Sequence, residues 1–272
     1  MRLVAGVDIG TRRTKAVLLD AGDPQGQEPL ALASVETGFD LAGACERALE
    51  QVLAEAGVPR SDLAYQAATG YGRYQAPERD IQITEITCHA RGAVALFPGV
   101  RTVLDVGAQN ARAMRLEPSG RVQAFRMNDK CASGAGRFVE RVARALEVDL
   151  DRVGPLGLQS GHPCPISSIC AVLAESEVIN HVTNGESVPD ILQGTHVSIA
   201  DRLGSLVRQV QLEAPFALTG GVARNRGLVQ ALQENLGMEV QVHRLSEYAG
   251  ALGAALLGRQ RLLRRKPRAV AG

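Results

Sequence analysis

Apolar residues along this chain alternate between short strand-like runs and helical stripes. Leu41, Ala44, Ala48 and Val52 recur at helical spacing, which predicts a helix over Leu41–Ala56 closed by Gly57 and Pro59. The run 65–69 reads as a strand ending at Gly70-Tyr71-Gly72, and 87–96 as a helix stopped by Pro98-Gly99. A second half repeats the plan, with a strand over 121–127 followed by helices. There Phe138, Val142 and Leu146 form one stripe, and Ala171, Ala174, Val178 and Val182 another. A short strand at 216–218 leads through Thr219-Gly220-Gly221-Val222-Ala223 into a helix over 225–236.

An internal repeat underlies this alternation. Val7-Asp8-Ile9-Gly10 is followed by Thr11 and then by Lys15-Ala16-Val17; ninety-seven positions on, Asp105-Val106-Gly107 is followed by Arg112-Ala113-Met114. Both copies share Asp, a β-branched residue, Gly, four residues, a cation, Ala and an apolar residue. Each stands between apolar runs, with 16–19 and 113–116 as the return strands, so each reads as a β-hairpin with Asp and Gly at its turn. Glycine in such a turn lets backbone N–H groups approach an anion, and the adjacent carboxylate can hold Mg²⁺ directly or through water. One copy alone also reads as an ordinary turn; two copies in register point to paired phosphate loops. Gly220-Gly221, between a strand and a helix, is a third glycine turn, suited to an adenine or ribose face or simply a tight turn. The run Ala249-Gly250-Ala251-Leu252-Gly253-Ala254-Ala255 allows close helix approach, at a hinge or in plain packing.

Composition removes several function classes. The 272 residues carry a net charge of +1 with both signs interspersed, and nothing favours a polyanion or membrane surface. Aromatic residues make up 3% and Trp is absent, which disfavours base-stacking platforms and hence nucleic-acid binding. No apolar run is long enough to span a bilayer, and Asp8 interrupts the first apolar run too early for a signal-peptide core, so a cytoplasmic protein is expected. Five cysteines, an odd number, are expected to be reduced there. The five histidines show no metal-ligand spacing and are expected to be structural or superficial, and Arg259 to Arg268 to form a solvated basic tail.

Taken together, the motifs resemble the superfamily of actin, Hsp70 chaperones, sugar kinases and acetate kinase over nearly the whole chain. The resemblance implies an α/β fold of duplicated ribonuclease-H-like domains with ATP in the inter-domain cleft. The first domain would be 1–97, completed by a C-terminal helix in 248–272, and the second 98–247. Asp8, Gly10, Thr11 and Lys15 match the first phosphate loop, Asp105 and Gly107 the second, and Gly220, Gly221 and Asn225 the adenosine loop. Asp8 and Asp105 would organise Mg²⁺ and water, Lys15 would neutralise phosphate charge, and Gln109 would orient the attacking water.

Two longer segments narrow the resemblance. Asn128-Asp129-Lys130-Cys131-Ala132-Ser133-Gly134-Ala135-Gly136-Arg137-Phe138 and the run from Ser167 to Ile179 resemble signatures of 2-hydroxyacyl-CoA dehydratase activators and benzoyl-CoA reductase ATPase subunits. In that family Gly134 and Gly136 belong to the signature, and Cys131 and Cys170 match the thiolates of a [4Fe–4S] cluster shared with a second subunit. A helix N-terminus near each cysteine would favour the thiolate, although both also read as buried structural residues. Activators usually carry Asp-Ile-Gly-Gly-Gln-Asp in the second phosphate loop, whereas here it reads Asp105-Val106-Gly107-Ala108-Gln109-Asn110. With Thr87-Cys88-His89-Ala90-Arg91-Gly92-Ala93, this looks more like the smaller ATPase subunit of benzoyl-CoA reductase. The resemblance then implies a ferredoxin-type electron donor, a longer homologous ATPase partner and catalytic subunits that reduce an aromatic acyl-CoA. A homodimeric dehydratase activator is the alternative, and a small-molecule kinase of the same fold without iron the second.

Overall fold

The computed structural model describes residues 2–23, 26–128, 136–167 and 171–264. They fall into two compact units, Met1–Leu96 with Tyr248–Gly272, and Phe97–Glu247.

The first unit contains β1 (Leu3–Ile9), β2 (Arg13–Asp20), β3 (Ala31–Glu36), α1 (Leu41–Ala56), β4 (Leu63–Thr69), β5 (Ile81–Gln82) and α2 (Glu85–Leu96), with the last helix of the chain, α8 (Ala249–Arg264). Its sheet runs β3-β2-β1-β4-β5, antiparallel from β3 to β1 and parallel from β1 to β5. Every residue of β1 is buried because the strand is central and covered on both faces. Leu3, Ala5, Val7 and Ile9 point one way and pack with Cys45, Ala48, Leu49 and Val52 of α1. Gly6 points the other way, so close to α8 that a Cβ there would lie 2.1 Å from the Ala251 carbonyl oxygen. By the period of two in a strand, Asp8 shares this second face.

Helix α1 has the predicted bounds for a local reason. The Asp40 side chain caps the Gly43 N–H at 2.9 Å and Gly57 closes the helix in the left-handed region at φ 65°. Arg259 departs from the expected solvated tail: it is buried, and its Nη1 donates to the carbonyls of Asp23 and Gly26 at 2.6 Å each. The loop after β2 needs a donor for these inward carbonyls, and a residue more than 230 positions away supplies it.

The second unit contains β6 (Thr102–Val106), β7 (Ala111–Leu116), β8 (Val122–Asn128), α3 (Gly136–Ala145), α4 (Leu150–Gly157), α5 (Ala171–Thr183), α6 (Val188–Arg208), β9 (Phe216–Thr219) and α7 (Arg226–Leu236). The order β8-β7-β6-β9, with β9 alone parallel, repeats β3-β2-β1-β4 strand for strand. This is the duplicated ribonuclease-H-like plan. Its core draws Phe138 and Val142 from α3, Ala174 and Val178 from α5 and a large share of α6. Val182 leaves the expected stripe and is exposed. Among the described residues no helix is long and apolar enough to cross a membrane.

Candidate functional site

Each hairpin places its carboxylate by register. Asp8 on β1 stands opposite Lys15 on β2, and Asp105 on β6 stands opposite Arg112 on β7. The seven-residue separation seen in both halves is therefore a cross-strand pairing, and the turns between carry Gly10 with Thr11, and Gly107.

The surroundings of the two carboxylates differ. Asp8 is buried, and a Cβ added at Gly70 or Gly250 would fall 2.5 Å or 2.6 Å from one of its oxygens. The third neighbour is His89 of α2, likewise buried, whose Nε2 lies 3.9 Å from Asp8 Oδ2. A buried carboxylate left open by two glycines fits an oxygen-seeking hydrated cation such as Mg²⁺. Lys15 is half-buried and makes no ion pair among the described residues, which leaves its ammonium for an anion.

Asp105 is engaged within its own unit. Its Oδ2 accepts from Arg112 Nη1 at 3.2 Å and its Oδ1 from the Thr219 hydroxyl at 3.1 Å. Thr219 ends β9 immediately before Gly220, so this carboxylate ties the second hairpin to the third glycine turn. Gly220 has φ +88°, and a Cβ there would lie 2.2 Å from the Val106 carbonyl oxygen, so any other residue is excluded. Gly221 has open space around it. In the second hairpin Gly107 N–H donates to the Asn110 carbonyl at 2.9 Å, and Gln109 is exposed at the tip. The hairpin also receives α3: the N–H groups of Gly136 and Arg137 donate to the carbonyls of Gly107 and Ala108, both at 2.9 Å.

Asn225 caps α7 through its side chain, accepting from Leu228 N–H at 3.1 Å. Its amide nitrogen meets Nε2 of the buried His196 at 3.0 Å, and the other ring nitrogen, Nδ1, meets Gln193 Oε1 at 3.2 Å. Burial holds the His196 pKa down to about 4, so the ring is neutral.

Cys131, Cys170 and Gly134 lie outside the described residues. The described flanks on the Cys170 side are firmly held. The Ser167 carbonyl accepts from the Ser198 hydroxyl at 2.9 Å and from Arg202 Nη2, and its N–H donates to Glu177 of α5. A groove of about 690 Å³ lies there, lined by Cys164, Ser167, Glu177 and Val197 among others. The remaining cysteines, Cys45, Cys88 and Cys164, are buried free thiols. Burial pushes Cys45 and Cys88 up to about 12, so both stay protonated. Among the described residues no group of three or more His, Cys, Asp or Glu side chains is placed to hold a metal ion.

Four further residues contact the candidate residues within their own units, although the sequence does not single them out for it. Arg112 is visible as the cation of the repeat and Thr219 as the neighbour of Gly220-Gly221. His89 lies in the 87–93 run without any sign of its pairing with Asp8, and His196 carries no sequence signal, since Asp8 and Asn225 reach them from other elements of the chain.

Comparison with known proteins finds similarity over nearly the whole chain. The model of the BadF/BadG/BcrA/BcrD ATPase family matches residues 5–258. The chain is 43% identical over 251 residues to the activator of lactoyl-CoA dehydratase from Anaerotignum propionicum, covering 92% of this chain and 95% of that one. It is 42% identical over 270 residues to a subunit of the benzoyl-CoA reductase from Thauera aromatica, covering 95% and 93%. Among solved structures, the activator of the 2-hydroxyisocaproyl-CoA dehydratase from Clostridium difficile with bound ADPNP superimposes with a TM-score of 0.90 at 37% identity, covering 96% of both chains.

Proposed function

The chain belongs to the BadF/BadG/BcrA/BcrD ATPase family, and from that membership we propose that it is the ATP-hydrolysing activator of a 2-hydroxyacyl-CoA dehydratase. What carries the reading is near full-length similarity to dehydratase activators in both sequence and structure, one of them holding an ATP analogue. It displaces the reductase-subunit reading that the second phosphate loop favours. The loop differs from the activator pattern at Ala108 and Asn110 and, conservatively, at Val106, while Asp105, Gly107 and Gln109 are kept.

In this reading the backbone N–H groups around Gly10, Thr11 and Gly107 receive phosphate oxygens. Lys15, having no ion-pair partner among the described residues, offsets their charge. Asp8 would hold Mg²⁺, which would offset phosphate charge. Asp105, ion-paired to Arg112, holds the second hairpin against Thr219 and orders water at the turn, and the exposed Gln109 orients the water that attacks the γ-phosphorus as the bond to ADP breaks. Gly220, Gly221 and Asn225 receive the adenosine. Cys131 and Cys170, with the same pair from a second copy, would supply four thiolates for a [4Fe–4S] cluster, which when bound provides a low-potential electron from a ferredoxin-type donor. Gly134 and Gly136 stand between Cys131 and the body of α3. The hydrogen bonds from Gly136 and Arg137 to Gly107 and Ala108 join the phosphate hairpin to the start of α3, which follows Cys131 in the sequence.

A second reading, the smaller ATPase subunit of a benzoyl-CoA reductase, is favoured by the 42% identity to the Thauera aromatica subunit and would need a longer homologous ATPase partner. Anaerobic purification of the chain expressed alone distinguishes them. The activator reading expects an ATP-hydrolysing symmetric dimer with iron and sulfide, in which Cys131→Ser or Cys170→Ser loses the iron yet still binds ATP. Iron that loads only on co-expression with a longer homologue supports the reductase reading. Full iron content in the Cys131→Ser, Cys170→Ser double variant overturns the cluster assignment.

A further inference from the structure

His196 sits where three helices meet. It projects from α6, and a Cβ at Gly157 of α4 or at Gly227 of α7 would lie 2.8 Å or 2.5 Å from its Cε1. A Cβ at Gly154 would likewise fall 2.7 Å from Asn225 Oδ1. Three positions without side chains thus surround one imidazole–amide pair. The amide orientation is fixed, because Asn225 Oδ1 must face the Leu228 N–H that it caps. Its NH₂ group therefore points at His196 Nε2, which must accept. Nδ1 then carries the proton and donates to Gln193 Oε1. A leucine would fill the same space; what the imidazole adds is an acceptor for Asn225.

Asn225 ends the turn that begins at Gly220, its own N–H donating to the Val222 carbonyl at 2.9 Å. The segment 219–225 is pinned at its start by Thr219 on Asp105 and by Gly220 N–H on the Ser246 carbonyl at 2.9 Å. His196 pins its end.

We propose that His196 is a positioning residue for nucleotide recognition, holding the Asn225 amide and with it the 219–225 segment in the orientation that receives the adenine–ribose end of ATP. This rests on the assignment of Gly220, Gly221 and Asn225 to adenosine. Phosphate recognition on the hairpins does not depend on His196.

The test compares His196→Leu and His196→Gln with the wild-type protein, using ATP hydrolysis kinetics and inhibition by ADP and by inorganic tripolyphosphate. Loss of one buried hydrogen bond should raise KM for ATP and the inhibition constant of ADP roughly tenfold in the leucine variant. Tripolyphosphate inhibition and kcat should stay unchanged, and glutamine, which restores an acceptor, should recover most of the affinity. Unchanged KM and ADP inhibition in a folded leucine variant overturn the proposal, as does equal weakening of ADP and tripolyphosphate. Should that variant not fold, nitrogen-15 NMR of the wild-type imidazoles decides. Saturating ADP should shift the His196 Nε2 resonance and tripolyphosphate should not, and no shift with ADP overturns the proposal. A wild-type chain that neither hydrolyses ATP nor binds ADP would instead refute the functional reading beneath it.

Discussion

Replacing Gly253 by alanine sets two effects of opposite sign against each other. Within a helix the substitution ordinarily stabilises by about 1 kcal/mol, since alanine has the higher helix propensity. Here the new Cβ would lie 1.8 Å from the Cys88 carbonyl oxygen and 2.9 Å from the Gly92 nitrogen, on the face where α8 meets α2. Both are backbone atoms, so no rotamer change relieves the clash, and the two helices must part by more than an ångström. Overpacking of this kind costs about 1–3 kcal/mol and more where the obstacle is rigid. The parting would also loosen Leu252 and Leu256 of α8 against Val17 and Leu19 of β2. A net loss of about 3 kcal/mol is expected, lowering the melting temperature by roughly 6–12 °C for a chain of this size. Gly258→Ala on the same helix is the internal control. Its Cβ would meet only side-chain atoms, Ala67 Cβ at 3.0 Å and Tyr65 and Val4 at 3.2 Å, while gaining the same propensity. It should stay within about 1 kcal/mol of wild type. Thermal melts and guanidinium titrations of the three proteins measure the difference. A Gly253→Ala protein as stable as Gly258→Ala would refute the view that close backbone approach governs this helix pair.

Acid should weaken the second unit through His196. With a folded pKa near 4 and an unfolded one near 6.5, the unfolded chain binds the proton first, so stability is full above 6.5 and falls as pH drops towards 4. Between pH 7 and 5 this is worth about 2 kcal/mol, to be read as a shift in denaturant midpoint that His196→Gln lacks. Asp8→Asn should lower ATP turnover by roughly a hundredfold or more with little loss of stability. Asp105→Asn should lose turnover and also about 3–5 kcal/mol of stability, because it leaves the buried Arg112 guanidinium facing a neutral amide. Steady-state kinetics with parallel melts separate the two, and equal stability of both variants would contradict the ion-pair geometry.

Much of the fold could be read from residue order because its cues are local. Gly57 and Pro59 close α1, the Asp-x-Gly hairpins recur ninety-seven residues apart, and Gly220-Gly221 follows a short apolar strand. Strand alternation, helix stripes, caps and turns involve residues within a few positions of one another, so spacing alone identifies them. It follows that the duplicated α/β plan was legible without coordinates. Other features were not. α6 is buried over so much of its surface that its periodicity fades, and β5 is only two residues long. The two halves look equivalent in sequence, yet Arg112 is ion-paired with Asp105 while Lys15 makes no ion pair among the described residues. His89 beside Asp8, His196 beside Asn225 and Arg259 beneath the loop after β2 have no periodic signature. Their roles follow from desolvation: a buried polar group must find a partner wherever the chain brings one, and for Arg259 that partner stands more than two hundred residues away. Spacing therefore locates the turns and strands that carry the chemistry, whereas chain closure selects which charged and polar side chains face one another inside them.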